Sequence, residues 1–209
     1  MNQDSFSFLA LGDSYTIGER VDSSLRWPAQ LARRLREERF PLSDPLIIAQ
    51  TGWTTDELEA GIQAVGPTGP FDLVSLLIGV NNQYRSREVG EYRIQLRVLL
   101  NQAVALAGGR PERVLVLSIP DWGVMPFAGD RDREFVARQI DSFNRAKEEE
   151  TAALGIRFVD ITEISREALG NPSLVAEDGL HPSGLQYSLW VDEALPVVRE
   201  ILLESGGGI

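Results

Sequence analysis

Short apolar runs alternate along the chain with longer segments whose apolar residues recur at a helical period. Five runs are candidate strands: Ser7 to Leu11, Leu46 to Gln50, Leu73 to Ile78, Val114 to Ile119 and Ile156 to Asp160. The third and fourth, LVSLLI and VLVLSI, are almost wholly apolar. Continuous apolar runs indicate burial on both faces, as in a parallel sheet covered by helices.

Apolar residues three and four positions apart predict helices between the strands. The predicted helices include one with Trp27, Leu31 and Leu35, one over about 89–106, one over about 132–154 and a last one over about 185–202. This βαβα order predicts a three-layer α/β/α fold of flavodoxin-like type with a five-stranded parallel sheet. We expect residues 1–204 to form one such domain and the Gly-rich residues 205–209 to form a flexible tail.

The balance of acidic and basic residues limits the classes of molecule that the protein is expected to bind. The 209 residues include 20 Lys and Arg against 31 Asp and Glu, so the formal net charge is −11. Such a surface repels phosphate backbones, so nucleic acid is not an expected partner. The chain has no cysteine, which excludes disulfides, thiolate nucleophiles and Cys-ligated metals. The composition leaves the oligomeric state open.

The amino-terminal residues indicate where in the cell the protein is located. The stretch MNQDSFSFLAL has no basic region, and its apolar run is too short for a signal peptide or a membrane span. We therefore expect a cytoplasmic protein without a membrane-spanning segment.

Polar residues gather where the predicted strands end. The segments that follow the strands contain Gly12-Asp13-Ser14, Thr51 to Thr55, Gly79 to Asn82, Pro120-Asp121-Trp122 and, further on, Asp178 to Pro182. The carboxyl ends of parallel strands share one edge of the sheet, where ligands bind in open α/β folds. The sequence therefore predicts a polar site at this edge.

Three of these residues could form a catalytic triad. A serine hydroxyl becomes a useful nucleophile when an adjacent base takes its proton and a third group orients the base. Ser14, the only histidine His181, and Asp178 three residues before it could supply these roles. Each also has a structural alternative, because Gly-Asp-Ser and His-Pro-Ser are common in turns and at helix starts.

The same edge offers donors that could stabilise an oxyanion. The candidates are the backbone amides of Ser14 and Gly52 and the side-chain amide of Asn81. Gly52 has no side chain to obstruct a substrate. The alternatives are a turn at Gly52 before a capped helix from about Asp56, and a left-handed turn at Asn81.

The order of these residues resembles that of the SGNH hydrolases, also called GDSL-type esterases or lipases. The matching blocks are Gly12-Asp13-Ser14-Tyr15, Gly52, Gly79-x-Asn81 and Asp178-x-x-His181. One position departs from the family pattern, because Asn82 stands where the third block usually has aspartate. We expect this change to affect local hydrogen bonding more than catalysis. The resemblance implies an α/β/α fold and hydrolysis of esters or thioesters without a metal or cofactor.

These observations predict a serine esterase that forms an acyl-enzyme on Ser14 and acts on a small-molecule ester. Two alternatives stay open. Asp13, Asp121 and Asp178 could ligate a metal in a phosphoryl-transfer domain. The same fold could also bind acyl or sugar ligands without catalysis.

Aromatic and apolar residues of the edge loops are candidates for the substrate pocket. They are Tyr15, Trp53, Tyr84, Trp122, Met125 and Phe127. Such side chains bind acyl chains or stack on sugars, although each could equally belong to the core. Short-chain esters, acetylated sugars, lysophospholipids and thioesters are all possible substrates.

Overall fold

A computed structural model describes residues 5–205 of the chain. Its strands are β1 (Phe8–Gly12), β2 (Leu46–Ala49), β3 (Leu73–Leu77), β4 (Val114–Leu117) and β5 (Arg157–Val159). Neighbouring strands pair in parallel, in the order β2-β1-β3-β4-β5. The predicted five-stranded parallel sheet is confirmed. Strand bounds differ from the predicted ones by one or two residues at the ends.

The α-helices of the described residues are α1 (Ser14–Ile17), α2 (Trp27–Glu37), α3 (Thr55–Val65), α4 (Val80–Tyr84), α5 (Val89–Leu106), α6 (Arg133–Ala153), α7 (Thr162–Arg166) and α8 (Gly184–Ser205). Helix α2 packs on α8, and α5 packs on α3 and α6. Strands β1, β3 and β4 are buried along their whole lengths, whereas the edge strands β2 and β5 are partly exposed. This is the predicted α/β/α arrangement.

The strand order creates a crevice at one edge of the sheet. The chain leaves β1 to form β2 on one side and then returns to form β3 on the other side of β1. Where successive connections diverge in this way, ligands bind beyond the carboxyl ends of the strands. Ser14 begins α1 directly beyond β1, and Asn81 lies in α4 beyond β3.

The carboxyl-terminal helix reaches one residue into the predicted tail. Ser205 is the last residue of α8, and residues 206–209 lie outside the described residues. Within residues 5–205, no helix is long and apolar enough to cross a membrane.

Candidate active site

The turn after β1 holds Ser14 at the edge of the sheet. The Asp13 side chain caps α1 by accepting a hydrogen bond of 3.0 Å from the Tyr15 backbone N–H, so Ser14 becomes the first helical residue. Gly12 is required by close packing, because a Cβ there would lie 2.5 Å from the Leu77 carbonyl oxygen. The residues that form this turn therefore also present the Ser14 hydroxyl beyond the sheet.

The Asp178 carboxylate organises the loop that carries His181. One oxygen, Oδ1, accepts backbone hydrogen bonds from Leu180 at 2.9 Å and His181 at 3.0 Å, while Oδ2 lies 2.6 Å from His181 Nδ1. Partial burial favours the neutral acid, but these hydrogen bonds outweigh burial and lower the pKa of the Asp178 carboxyl. The Tyr15 ring packs edge-on against the imidazole, with 5.8 Å between ring centroids. The imidazole is thus held by a carboxylate and by an aromatic ring.

One cavity of about 160 Å³ brings together predicted residues from several loops, among them Ser14, Gly52, Asn81 and His181. Its lining consists of Ser14, Tyr15, Thr51, Gly52, Val80, Asn81, Tyr84, Trp122, Phe127, Leu180 and His181. Most of the exposed lining is apolar. Residues from widely separated parts of the chain therefore share a single concave surface.

Three residues that line this cavity carry hydrogen-bond donors. Among residues 5–205, the backbone N–H groups of Ser14 and Gly52 donate to no protein acceptor. Gly52 has a φ of 83°, a left-handed conformation that favours glycine. The Asn81 side-chain nitrogen donates to the Trp53 carbonyl oxygen at 2.9 Å, which orients the amide. An amide nitrogen carries two hydrogens, so a second donor remains on Asn81.

The sequence matches a known protein family over most of its length. A profile of the GDSL-like lipase/acylhydrolase family matches residues 10–189. The chain belongs to this family. It is therefore a hydrolase that acts on ester bonds. No curated protein matches the sequence.

Solved structures similar to this GDSL-family hydrolase share its fold. TesA has 21% sequence identity and a TM-score of 0.73, covering 93% of this chain and 99% of its own. An esterase, EstA from Pseudoalteromonas sp., has 17% identity and a TM-score of 0.68, covering 94% of this chain and 98% of its own. Axe2, an acetylxylan esterase from Geobacillus stearothermophilus, has 20% identity and a TM-score of 0.65, covering 100% of this chain and 98% of its own.

Asn82, the departure from the family pattern, is fully buried and joins α4 to the start of α3. Its Oδ1 accepts a hydrogen bond of 3.1 Å from the Thr55 backbone N–H, and its Nδ2 donates to Thr55 Oγ1 at 2.8 Å. Thr55 Oγ1 in turn donates to Gln95. An amide, which both accepts and donates, suits this position.

Two pocket candidates of this GDSL-family hydrolase lie outside the cavity. The Trp53 ring covers Gly61 of α3, where a Cβ would lie 2.2 Å from the ring. Met125 is buried in a small separate cluster with Ala168 and Leu174. The structure does not place these two side chains in the cavity lining, because each turns from its loop toward neighbouring packing. Trp53 contributes instead the carbonyl oxygen that binds Asn81.

Some cavity residues were not predicted individually. Thr51, Val80 and Leu180 lie in the segments expected at this edge, and each directly precedes a predicted site residue. Arg131, which lies beside the cavity rather than in its lining, had no signal in the sequence. Its guanidinium lies against aromatic side chains of the cavity wall.

The carboxylates considered as metal ligands have other partners. Asp13 is fully buried and caps α1, and burial raises the pKa of its carboxyl to about 7. Asp121 accepts hydrogen bonds from Arg166 Nε and the Gly123 backbone N–H, both at 2.9 Å. Within residues 5–205, no group of three or more His, Asp or Glu side chains is arranged to hold a metal ion.

Proposed function

We propose that this GDSL-family hydrolase is a serine esterase with Ser14 as its nucleophile. The observation that carries the proposal is the 2.6 Å contact between Asp178 Oδ2 and His181 Nδ1, at a cavity that Ser14 shares with His181. A carboxylate at Nδ1 favours the tautomer with hydrogen on that nitrogen. Nε2 of His181 is then free to accept a proton.

The reaction proceeds in two halves. Nε2 of His181 accepts the proton of the Ser14 hydroxyl as Oγ attacks the ester carbonyl carbon. The tetrahedral intermediate expels the alcohol, which takes the proton from His181, and an acyl group remains on Ser14. Water then loses a proton to His181 and attacks the acyl group, and this step releases the carboxylic acid and restores Ser14. Asp178 stabilises the imidazolium in both halves.

The oxyanion of each tetrahedral intermediate needs donors that are already in place. We assign this role to the backbone N–H groups of Ser14 and Gly52 and to the side-chain N–H of Asn81. Their common position in the cavity lining and their available hydrogens support the assignment.

The size of the cavity supports a short acyl group. Its volume of about 160 Å³ is below the range of roughly 300 to 1,000 Å³ typical of sites for drug-sized ligands. The largely apolar lining suits a small alkyl group. Axe2, which shares the fold, is named as an acetylxylan esterase, and this is consistent with a small acyl group here.

Covalent labelling tests the proposal. A fluorophosphonate probe is expected to label the wild-type protein and Ser23→Ala, whose exposed serine lies away from the cavity, but not Ser14→Ala. A series of 4-nitrophenyl esters from acetate to palmitate is expected to show the highest kcat/KM at the short end. Labelling or ester turnover that persists in Ser14→Ala would overturn the proposal.

A further inference from the structure

A guanidinium lies against the aromatic wall of the cavity. Tyr84, Trp122 and Phe127 all line the cavity, and their ring centroids lie 5.2 to 6.4 Å apart. The Arg131 guanidinium carbon lies 5.7, 5.3 and 5.5 Å from these three centroids. Cation–π attraction acts within about 6 Å of a ring centroid. Three rings therefore hold one cation beside the site.

Arg131 forms no ion pair within residues 5–205, where an ion pair requires a carboxylate oxygen within 4 Å of a guanidinium nitrogen. Two other arginines near the cavity have acidic partners: Arg85 lies 3.1 Å from Glu57, and Arg20 lies 3.8 Å from Glu19.

Most hydrogen-bonding capacity of Arg131 is available to a ligand. Its protein partners are the Phe127 carbonyl oxygen at 3.4 Å and the Tyr84 hydroxyl at 3.5 Å, both at the long limit of hydrogen bonding. A guanidinium has five N–H donors, so these two long contacts leave most of them without a protein partner in the described residues.

A second groove, of about 400 Å³, adjoins the catalytic cavity and contains Arg131. Tyr84 and Trp122 line both spaces. A substrate that extends from Ser14 past these rings therefore reaches Arg131. Asp132 also lines the groove, but its carboxylate accepts a hydrogen bond of 3.0 Å from the Phe135 backbone N–H.

We propose that Arg131 is a specificity residue that binds a carboxylate or phosphate group on the alcohol part of the ester. The inference rests on the proposed function, since it names a substrate class for the same site. A guanidinium matches either anion through paired hydrogen bonds. The protein as a whole carries a net charge of −11 and repels anions, so recognition of an anionic ester needs a local cation of this kind.

Aryl acetates with a neutral or an anionic para substituent test the proposal. The neutral substrate is methyl 4-acetoxybenzoate, and the anionic substrates are 4-acetoxybenzoate and 4-acetoxyphenyl phosphate, which separate carboxylate from phosphate recognition. The readout is the ratio of kcat/KM for each anionic ester to kcat/KM for the neutral ester. The variants are Arg131→Gln, Arg131→Lys and the control Arg145→Gln, which removes an exposed arginine from α6 outside the groove.

Arg131→Gln is expected to lower the ratio about tenfold for at least one anion, mainly through a higher KM for the anionic ester. A tenfold change is about the size expected for the loss of one hydrogen bond to a charged group. Arg131→Lys should retain part of the ratio, and Arg145→Gln should leave it at the wild-type value. An unchanged ratio in Arg131→Gln, including one in which kcat/KM falls by the same factor for neutral and anionic esters, would show that Arg131 only stabilises the aromatic wall.

If the wild-type protein hydrolyses the neutral ester through Ser14 and the ratio does not change in Arg131→Gln, the inference fails and the proposed function stands. If Ser14→Ala hydrolyses the neutral ester as well as the wild-type protein does, the proposed function fails, and the inference fails with it.

Discussion

His181 Nδ1 and Asp178 Oδ2 lie 2.6 Å apart, while the other oxygen of the same carboxylate binds the backbone N–H groups of Leu180 and His181. The two oxygens of Asp178 therefore have different tasks. One builds the turn, and the other orients the imidazole. A substitution that changes only the second oxygen separates folding from function.

Asp178→Asn makes this separation. The Asn carbonyl can still accept both backbone hydrogen bonds, but its amide nitrogen donates toward Nδ1 and favours the wrong histidine tautomer. We expect kcat for a 4-nitrophenyl ester to fall by about 10³- to 10⁴-fold, as for other triads that lose this carboxylate. Thermal unfolding should stay close to that of the wild-type protein. A variant with near wild-type kcat would show that Asp178 only shapes the turn.

Substitutions of Asn81 test the oxyanion assignment. Asn81→Ala removes the donor, and we expect kcat to fall by about 10²- to 10³-fold with little change in KM. Asn81→Asp keeps the shape of the side chain but places an acceptor where a donor is needed, so its loss should be at least as large. Steady-state kinetics with a short-chain ester provide the measurement. Unchanged turnover in both variants would contradict the assignment.

Asn82→Asp should destabilise the fold in a pH-dependent way. A carboxylate can accept from the Thr55 backbone N–H but cannot donate to Thr55 Oγ1, and it would be charged in a buried position. We expect the free energy of unfolding at pH 7.5 to fall by about 1 to 3 kcal/mol. The loss should shrink at pH 5, because burial raises the pKa of an acid and protonation removes the buried charge. Urea unfolding of both proteins at the two pH values tests this expectation, and an equal loss at both would contradict it.

Asp13→Asn should change how stability depends on pH. Burial raises the pKa of the Asp13 carboxyl from its ordinary value of 3.8 to about 7. Between these values the folded protein retains a proton that the unfolded chain releases, so this carboxyl lowers stability progressively from about pH 4 to about pH 7. The effect reaches at most about 4 kcal/mol. Asparagine retains the acceptor for the Tyr15 N–H and does not titrate.

Denaturant unfolding from pH 4 to pH 7 measures this difference. The stability of Asp13→Asn relative to the wild-type protein should rise across the range, whereas the exposed control Asp130→Asn should show no such trend. The measurement stops at pH 7 because a second buried group titrates above it. Burial also lowers the pKa of Lys147 to about 7, so the stability contributed by Lys147 increases as the pH rises above 7. Parallel curves for Asp13→Asn and the wild-type protein would exclude the proposed titration.

Local patterns predicted the elements that carry the site. The apolar runs predicted β1 and β3, and the polar residues after them marked Ser14 and Asn81, because strand burial and turn chemistry depend on neighbours in the sequence. The same logic did not reveal that Trp53 and Met125 lie outside the cavity lining. Both lie in edge loops, but the direction of a loop side chain depends on the helices that pack nearby.

The sequence by itself determined the parallel α/β/α sheet, the family and the residues that could do chemistry at one edge of the sheet. These features follow from local periodicity, from residue types in turns and from the order of motifs. Only the tertiary structure decided that Arg131 lies against three aromatic rings and that Asn82 binds Thr55. Such contacts join residues far apart in the chain, and their geometry is set by how helices and loops pack around the sheet.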